Sequence, residues 1–531
     1  MPSENLPPVI RGLLNREAYP KSSQPQSVEL VETHVSWVFL ADDFAYKIKK
    51  PVRFGFLDFS TLELRKRYCD EELRINRRYS ADLYLEVVSV TGSPDHPCLE
   101  GSGPTIDYAV KMRRFPTDCL FDHLLAAQRL LPEHVRQLAE ALSAFHKAQP
   151  RDKEGNQSDR FDQVLRNVEG NFATIKGLLS DIRDLAELSM LHDWSEHEFN
   201  RREPVLISRA AQGFIRECHG DLHLGNIVWL DGRARFFDGI EFSADLRWID
   251  TMNEAAFPLM DLEVRGAQAL AFHFLNRYLE LMGDYQGIAL LDYYRLYRAM
   301  VRAKVAILRS TQTINTSEEA ACQANYRRYI GYALALINRP APQLIITHGI
   351  SGSGKSHLAS QLAASMPAIW IRTDVERKRL FGNASDTTQV KPSALYSVEM
   401  TGVTYHHLLD NARKILDGGY SVILDGTFLK RQQRQAASGL ARAKQARFWI
   451  LDFQAPIDFL KARVRCRALE GVDPSDANES VVNLQANSAE PLGPDEMGHV
   501  LVIDATIEPN FQRLMQRIAQ NSQKSVDATG S

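Results

Sequence analysis

Apolar and polar positions recur along this chain with two different periods. Residues 34–40 are β-branched and aromatic, and after a turn at Asp42-Asp43 residues 44–49 alternate with period two; both stretches predict strands. Residues 83–90 and 108–112 predict two more, joined by a Gly/Pro/Ser-rich loop. Between them, Thr61 is placed to cap a helix running to about Tyr79, with mixed apolar and charged faces. A short helix is predicted at 9–16. Helical spacing then dominates over 117–148, broken at Leu131-Pro132, over 161–200, and over about 249–282 and 290–337, with a polar loop at 149–159. Strand-like apolar runs return at 344–347, 368–374, 421–427, 447–452 and 501–504, separated by helices at 357–364, 459–469 and up to about 520.

Chemistry concentrates at 219–226, His-Gly-Asp-Leu-His-Leu-Gly-Asn, a polar loop between apolar runs. A turn at Asp231-Gly232 and the segment Phe236-Phe237-Asp238-Gly239 follow. Protein kinases place a base Asp, an Asn five residues on and a metal-binding Asp after a short hairpin; Asp221, Asn226 and Asp238 fall on that spacing. The stretch resembles the aminoglycoside phosphotransferase and choline kinase branch of the kinase-like fold. The resemblance implies Asp221 as acceptor of the hydroxyl proton, Asn226 and Asp238 as Mg²⁺ ligands, His223 where protein kinases carry a loop lysine, and an acid at Glu241. Ala45 and Lys47 share a strand face, as in the kinase lysine strand, so Lys47 is the candidate phosphate contact and Lys49 the alternative. Glu72 on the following helix is the candidate partner of that lysine, with Glu71 the alternative. The strand at 108–112 runs into a hinge at Arg113-Arg114-Phe115. No Gly-rich loop precedes Lys47, which leaves the phosphate cover unassigned. Asp245, Asp250, Glu254, Asp261 and Glu263 are candidate contacts for a cationic acceptor, more simply read as caps and solvated faces.

A second device lies beyond the linker at 338–343. A buried-strand run leads into Gly349-Ile350-Ser351-Gly352-Ser353-Gly354-Lys355-Ser356, the G-x-x-x-x-G-K-[ST] pattern, and a helix follows. Glycines let backbone N–H groups converge on phosphate oxygens at a helix N-terminus. Lys355 is placed for the β/γ-phosphates and Ser356 for Mg²⁺. Strand-end carboxylates Asp374 and Asp425 face the same end of a parallel sheet. Asp374 resembles the acceptor-side base of P-loop kinases, and Asp425 a Mg²⁺ ligand. Arg463 and Arg467, four apart on one helix face, are candidates for a phosphate-clamping lid.

The fold expected is an α+β bilobal kinase-like domain at 1–338 (small lobe about 28–115, large lobe about 116–338), then an α/β P-loop domain at 344–520 and a disordered tail at 521–531. This tandem order resembles a bacterial family described as bifunctional, an aminoglycoside-phosphotransferase-like domain followed by a P-loop kinase. It implies ATP and Mg²⁺ at two sites and phosphoryl transfer to small-molecule hydroxyl acceptors of unknown identity. Rival readings are an ATP-responsive regulator read by a partner, and a nucleic-acid-end kinase in the second domain. A net charge of −3 gives nucleic acid or an anionic membrane no electrostatic footprint. The six cysteines form no C-x-x-C pair, which argues against a zinc knuckle or a disulfide framework. With no signal-peptide pattern and no apolar run approaching the ~20 residues that span a bilayer, a cytoplasmic protein is expected.

Overall fold

Two sheets of opposite kind organise the chain. The computed structural model describes residues 6–54, 57–152, 157–313, 315–382, 397–470 and 478–520; the tail expected to be disordered lies outside them. The chain forms two units, Met1–Ala267 with Tyr293–Tyr332, and Gln268–Asp292 with Ala333–Ser531. Residues 268–292, assigned to the first domain from sequence, therefore cluster with the second unit.

After a short helix at Pro8–Gly12, the first unit contains β1 (Val28–Glu32), β2 (Ser36–Ala41), β3 (Phe44–Lys49), α1 (Leu62–Ser80), β4 (Tyr84–Ser93), β5 (His96–Leu99) and β6 (Thr105–Arg113). These strands form one antiparallel sheet in the order β1-β2-β3-β6-β4-β5. The periodicity missed β1 and β5. As an edge strand β1 buries little, and β5 lies in a segment rich in turn residues, so neither shows a clean apolar face. Thr61 Oγ1 accepts from Leu64 N at 3.3 Å and caps α1. That helix buries Arg65, Cys69, Glu72, Ile75 and Asn76, a face as polar as it is apolar. Cys69, Leu83, Tyr84, Val110 and Val228 share one core, which fastens α1 to the sheet and to a hairpin of the helical lobe.

That lobe contains α2 (Pro132–Ala148), α3 (Gln157–Leu178), α4 (Ile182–Ala211), β7 (Ile215–Glu217), β8 (Ile227–Leu230), β9 (Arg233–Phe236), β10 (Trp248–Asp250) and α5 (Thr251–Val264). The chain then passes through α6 (Gln268–Met282) of the second unit, α7 (Ile288–Gln312) and α8 (Thr316–Ile337). β8 and β9 form the expected hairpin, and β7 pairs antiparallel with β10. Helix α4 continues through Pro204, past the expected end near 200, because its last turns are held by burial: Leu206 and Arg209 are inside. Arg209 Nε and Nη2 donate to the two Asp250 oxygens, each at 2.7 Å. Gly266, with φ 81°, ends the helical run expected at 249–282.

The second unit is built on five parallel strands, β11 (Gln343–His348), β12 (Ala368–Arg372), β13 (Ser421–Asp425), β14 (Arg447–Gln454) and β15 (Val500–Asp504), in the order β12-β13-β11-β14-β15. Each central strand has an unbroken apolar middle, at 344–346, 422–424 and 448–451, as burial of both faces requires. The intervening helices are α9 (Lys355–Ser365), α10 (Thr373–Gly382), α11 (Val398–Asp417), α12 (Arg431–Ala443), α13 (Ile457–Glu470), α14 (Glu479–Ser488) and, after β15, α15 (Phe511–Gln520). Edge strand β12 is covered by α6: Asn276 Nδ2 donates to Ala368 O at 3.0 Å and Asn276 Oδ1 accepts from Trp370 N at 2.7 Å. One side chain thus supplies both hydrogen bonds that a further strand would offer. β12 ends at Arg372, so Asp374, read as a strand end, lies in the first turn of α10.

Among the described residues no helix is long and apolar enough to cross a membrane. Arg209→Met leaves Asp250 buried without its cation; denaturant unfolding is expected to show a loss of about 3–5 kcal/mol in the first unit. A loss under about 1 kcal/mol, as for an exposed pair, would contradict this account of α4.

Candidate functional site

Alternation along β3 puts Lys47 and Lys49 on one face, opposite α1. Lys47 Nζ donates to Glu72 Oε1 at 2.8 Å and to Asp238 Oδ1 at 2.5 Å. Lys49 Nζ donates to Glu72 Oε2 at 2.7 Å and also to Glu241. Glu72 therefore bridges both lysines, and each lysine takes a second carboxylate. Glu71 faces away, accepting from Arg74 Nη2 at 2.7 Å and Arg247 Nη2 at 2.8 Å. The Lys49 side chain is wholly buried while that of Asp238 is 48% exposed, so the Lys47–Asp238 end is the open one. Burial pulls the Lys47 ammonium down, but Asp238 and Glu72 outweigh it and hold its pKa well above the ordinary value. Burial pushes Asp238 up, and Lys47 reverses that to a net lowering. Burial raises the pKa of Glu241.

Asp238 has φ 61°, a left-handed conformation that Asp tolerates better than most residues. Two side chains hold it there. Asp238 N donates to Tyr84 Oη at 2.9 Å, and Gly239 N donates to Asn76 Oδ1 at 2.9 Å.

The loop between β7 and β8 carries Asp221, His223 and Asn226. Asn226 Nδ2 donates to Asp221 O at 2.9 Å, and His223 Nε2 lies 3.7 Å from Asp221 Oδ2. His223 Nδ1 accepts from Gly225 N at 3.1 Å, which puts the ring proton on Nε2, toward Asp221. His219 Nδ1 likewise accepts from Asp221 N at 3.2 Å, and its Nε2 donates to Phe237 O at 2.8 Å. Burial lowers both histidine pKa values, in keeping with neutral rings. Gly220 has φ 90°, and a Cβ there would lie 2.8 Å from Leu246 O.

Most of the acids proposed as acceptor contacts are engaged internally. Asp250 holds Arg209, as described above. Glu254 accepts from Gly220 N at 2.7 Å and from His146 Nε2 at 2.9 Å. Asp261 accepts from Leu224 N and Arg265 Nε, each at 3.0 Å. Glu263 accepts from Tyr332 Oη at 2.9 Å and pairs with Arg295. Asp245 is exposed. Two of these acids thus brace the loop, and Arg298 Nη1 adds a bond to Gly220 O at 2.8 Å. The sequence reading missed this bracing, although Glu254 and Asp261 stand seven apart, two turns along one helix face.

In the second unit the glycine loop turns between β11 and α9. A Cβ at Gly349 (φ 135°) would lie 2.7 Å from Phe453 O, and one at Gly352 (φ 88°) 2.8 Å from Leu460 O; only glycine fits at either position. Lys355 begins α9, and its Nζ donates to Ile350 O at 2.8 Å and Ser353 Oγ at 3.3 Å. Burial pushes the Asp425 carboxyl up; the Ser356 hydrogen bond and Lys355 oppose this only in part, and Asp374 adds to it. These four residues therefore share one neighbourhood. Arg463 Nη1 donates to Ala505 O at 3.3 Å and would lie 3.5 Å from a Cβ on Gly354, beside the loop. The Arg467 side chain lies outside the described residues. Gln485, not singled out from sequence, accepts from Ser351 N at 2.8 Å.

Gly220→Ala places a side chain against a carbonyl in a left-handed conformation. Its expected cost is roughly 1–3 kcal/mol of stability, measured by thermal unfolding; an unchanged midpoint would show that the loop yields.

A family model described as an AAA domain matches residues 344–492. An uncharacterized protein of Mycobacterium tuberculosis is 31% identical over 454 residues, covering 85% of this chain and 88% of the relative. An uncharacterized protein of Mycobacterium bovis matches to the same extent, 31% over 454 residues with 85% and 88% coverage. Of solved structures, a choline kinase from Cryptosporidium parvum is similar at 10% identity and a TM-score of 0.39, over 61% of this chain and 94% of that one. A gluconokinase from Sinorhizobium meliloti is similar at 15% identity and a TM-score of 0.25, over 36% and 99%. The chain belongs to the family of these mycobacterial proteins, and within it residues 344–492 form an AAA domain.

Proposed function

We propose that the chain is an ATP-dependent phosphotransferase with one Mg²⁺-nucleotide site in each unit, transferring the γ-phosphoryl group to hydroxyl acceptors. The observation that carries this reading is the Lys47–Glu72 pair at 2.8 Å, joined by Asp238 at the open end of the same cluster. In the first unit Lys47 holds the nucleotide phosphates. Asn226 and Asp238 hold the metal. The donors suit a hard divalent cation: Asp238 brings a half-exposed carboxylate and Asn226 an amide oxygen, its Nδ2 being turned to Asp221 O. Bound ATP supplies the phosphoryl group, and Mg²⁺ offsets its charge. Asp221 accepts the proton of the acceptor hydroxyl, and the Nε2–H of His223 orients that carboxylate.

In the second unit the backbone from Gly349 to Gly354, with Ser351, Gly352 and Ser353, cradles phosphate. Lys355 neutralises it, Ser356 and Asp425 hold the metal, and Asp374 is the acceptor-side base. Arg463 closes on the phosphates from α13. Support comes from the glycine positions that admit no Cβ and from the shared neighbourhood of Lys355, Ser356, Asp374 and Asp425.

Labelled ATP with a pool of hydroxyl metabolites tests the first unit. Asp221→Asn, in a Lys355→Ala background, is expected to lower transfer by about 10²–10⁴-fold while nucleotide affinity stays nearly constant. Transfer at the parental rate would remove Asp221 from its role. Slow hydrolysis in every variant with no product formed would favour a nucleotide-responsive regulator.

A further inference from the structure

The helix that bonds the Asp221 loop through Arg298 also carries, one turn on, a cation with a buried donor left unbonded. Arg298 and Arg302 stand one turn apart on α7 and share its face. Arg298 is spent: Nε donates to Asn253 Oδ1 at 2.8 Å, Nη1 to Gly220 O at 2.8 Å, and the guanidinium lies 4.8 Å from the Phe257 ring centroid. The same Phe257 ring meets the His223 ring edge-on at 5.8 Å, so this helix face looks onto the loop. Arg302 hydrogen-bonds Tyr329, yet its Nε is buried and meets no acceptor among the described residues. Its charge acts on Asp221, Asp261 and His223.

Asp261 does not satisfy it, being bonded to Arg265 and Leu224 N. Nor do the neighbouring acids offer a cation its counter-charge. Glu254 is held by His146 and Gly220 N, and Asp122 accepts from His123 N at 3.0 Å and acts on Arg265. A buried guanidinium N–H left unbonded costs about 1–3 kcal/mol, which an anionic oxygen removes with a charge-assisted hydrogen bond.

We propose that Arg302 is the specificity residue of the first unit, and that it binds an anionic group, carboxylate or phosphate, on an acceptor whose nearby hydroxyl is presented to Asp221. This rests on the phosphotransfer reading of that unit. It reverses the cationic acceptor that the acidic residues of α5 first suggest.

The test uses the full-length chain with Lys355→Ala, which silences the glycine loop, saturated with Mg²⁺ and a non-hydrolysable ATP analogue. Glycerol, glycerate, glycerol 3-phosphate and choline are titrated calorimetrically. At least one anionic probe is expected to bind roughly tenfold more tightly than glycerol, with choline weakest; the two anions distinguish carboxylate from phosphate. Arg302→Met is expected to erase the preference and Arg302→Lys to retain part of it, with nucleotide affinity unchanged in both. Equal binding of all probes, no binding of any, tighter binding of choline, or an anion preference that survives Arg302→Met would each overturn the proposal. Incubation of the best probe with ATP reports on the phosphotransfer reading separately: anion binding without transfer sinks that reading and leaves the anion site standing.

Discussion

One buried carboxylate, that of Glu72, fixes the geometry on which the first unit depends. It holds two ammonium groups at once, and neither partner is free to leave. A charge taken into the interior costs several kcal/mol unless paired. Displacing Lys47, Lys49 or Glu72 would therefore strand the others. Helix α1 is locked to β3 at this point, and through Lys47 the lock reaches Asp238, beyond the 219–226 loop. The cluster is sealed at Lys49 and Glu241 and open at Lys47 and Asp238. Its exposed end presents a cation and a carboxylate together, the feature on which the phosphotransfer proposal rests.

The loop bearing Asp221 is held by a different principle. Its leucines, Leu222 and Leu224, are wholly buried, and its backbone is held by hydrogen bonds to charged side chains. Glu254 and Asp261 take N–H groups at Gly220 and Leu224, and Arg298 takes the Gly220 carbonyl. Such bonds are directional and charge-assisted, so they set the aim of Asp221 rather than merely its depth. Preorganisation of this kind lowers a barrier without reorganisation at the moment of reaction. The second unit reaches a comparable end by packing the glycine loop so closely on Phe453 and Leu460 that no side chain fits at Gly349 or Gly352, while Gln485 and Lys355 bond its backbone.

The parts legible in the sequence are those whose chemistry dictates spacing. The 219–238 interval and the 349–356 loop could be read because backbone geometry ties each residue to its neighbours. Lys47 and Glu72 could be paired because strand alternation and a capped helix leave few choices, and the structure joins those two while turning Glu71 outward. The five buried strands of the second unit announce themselves by composition. What the sequence hid depends on contacts distant in the chain. Edge strand β1 turns only Val28 and Leu30 to the core, both partly buried, and α4 outruns Pro204 because Arg209 finds Asp250. The excursion of α6 is concealed because Asn276, which completes a β-sheet edge, looks like any polar helical residue. The acids on α5 were misleading for the same reason: apart from Arg265, four residues on from Asp261, their partners are distant in the chain, namely His146, Arg295, Tyr332 and the backbone amides of Gly220 and Leu224.

The central claim is that the Glu72 cluster exists to receive a metal-bound nucleotide. Calorimetric titration of Mg²⁺ with a non-hydrolysable ATP analogue into the Lys355→Ala chain, with and without Glu72→Gln, tests it most directly. The account expects a single remaining site, weakened at least roughly tenfold when Glu72 loses its charge while the fold persists. A site of unchanged affinity in the double variant, or no site at all in Lys355→Ala, would contradict it.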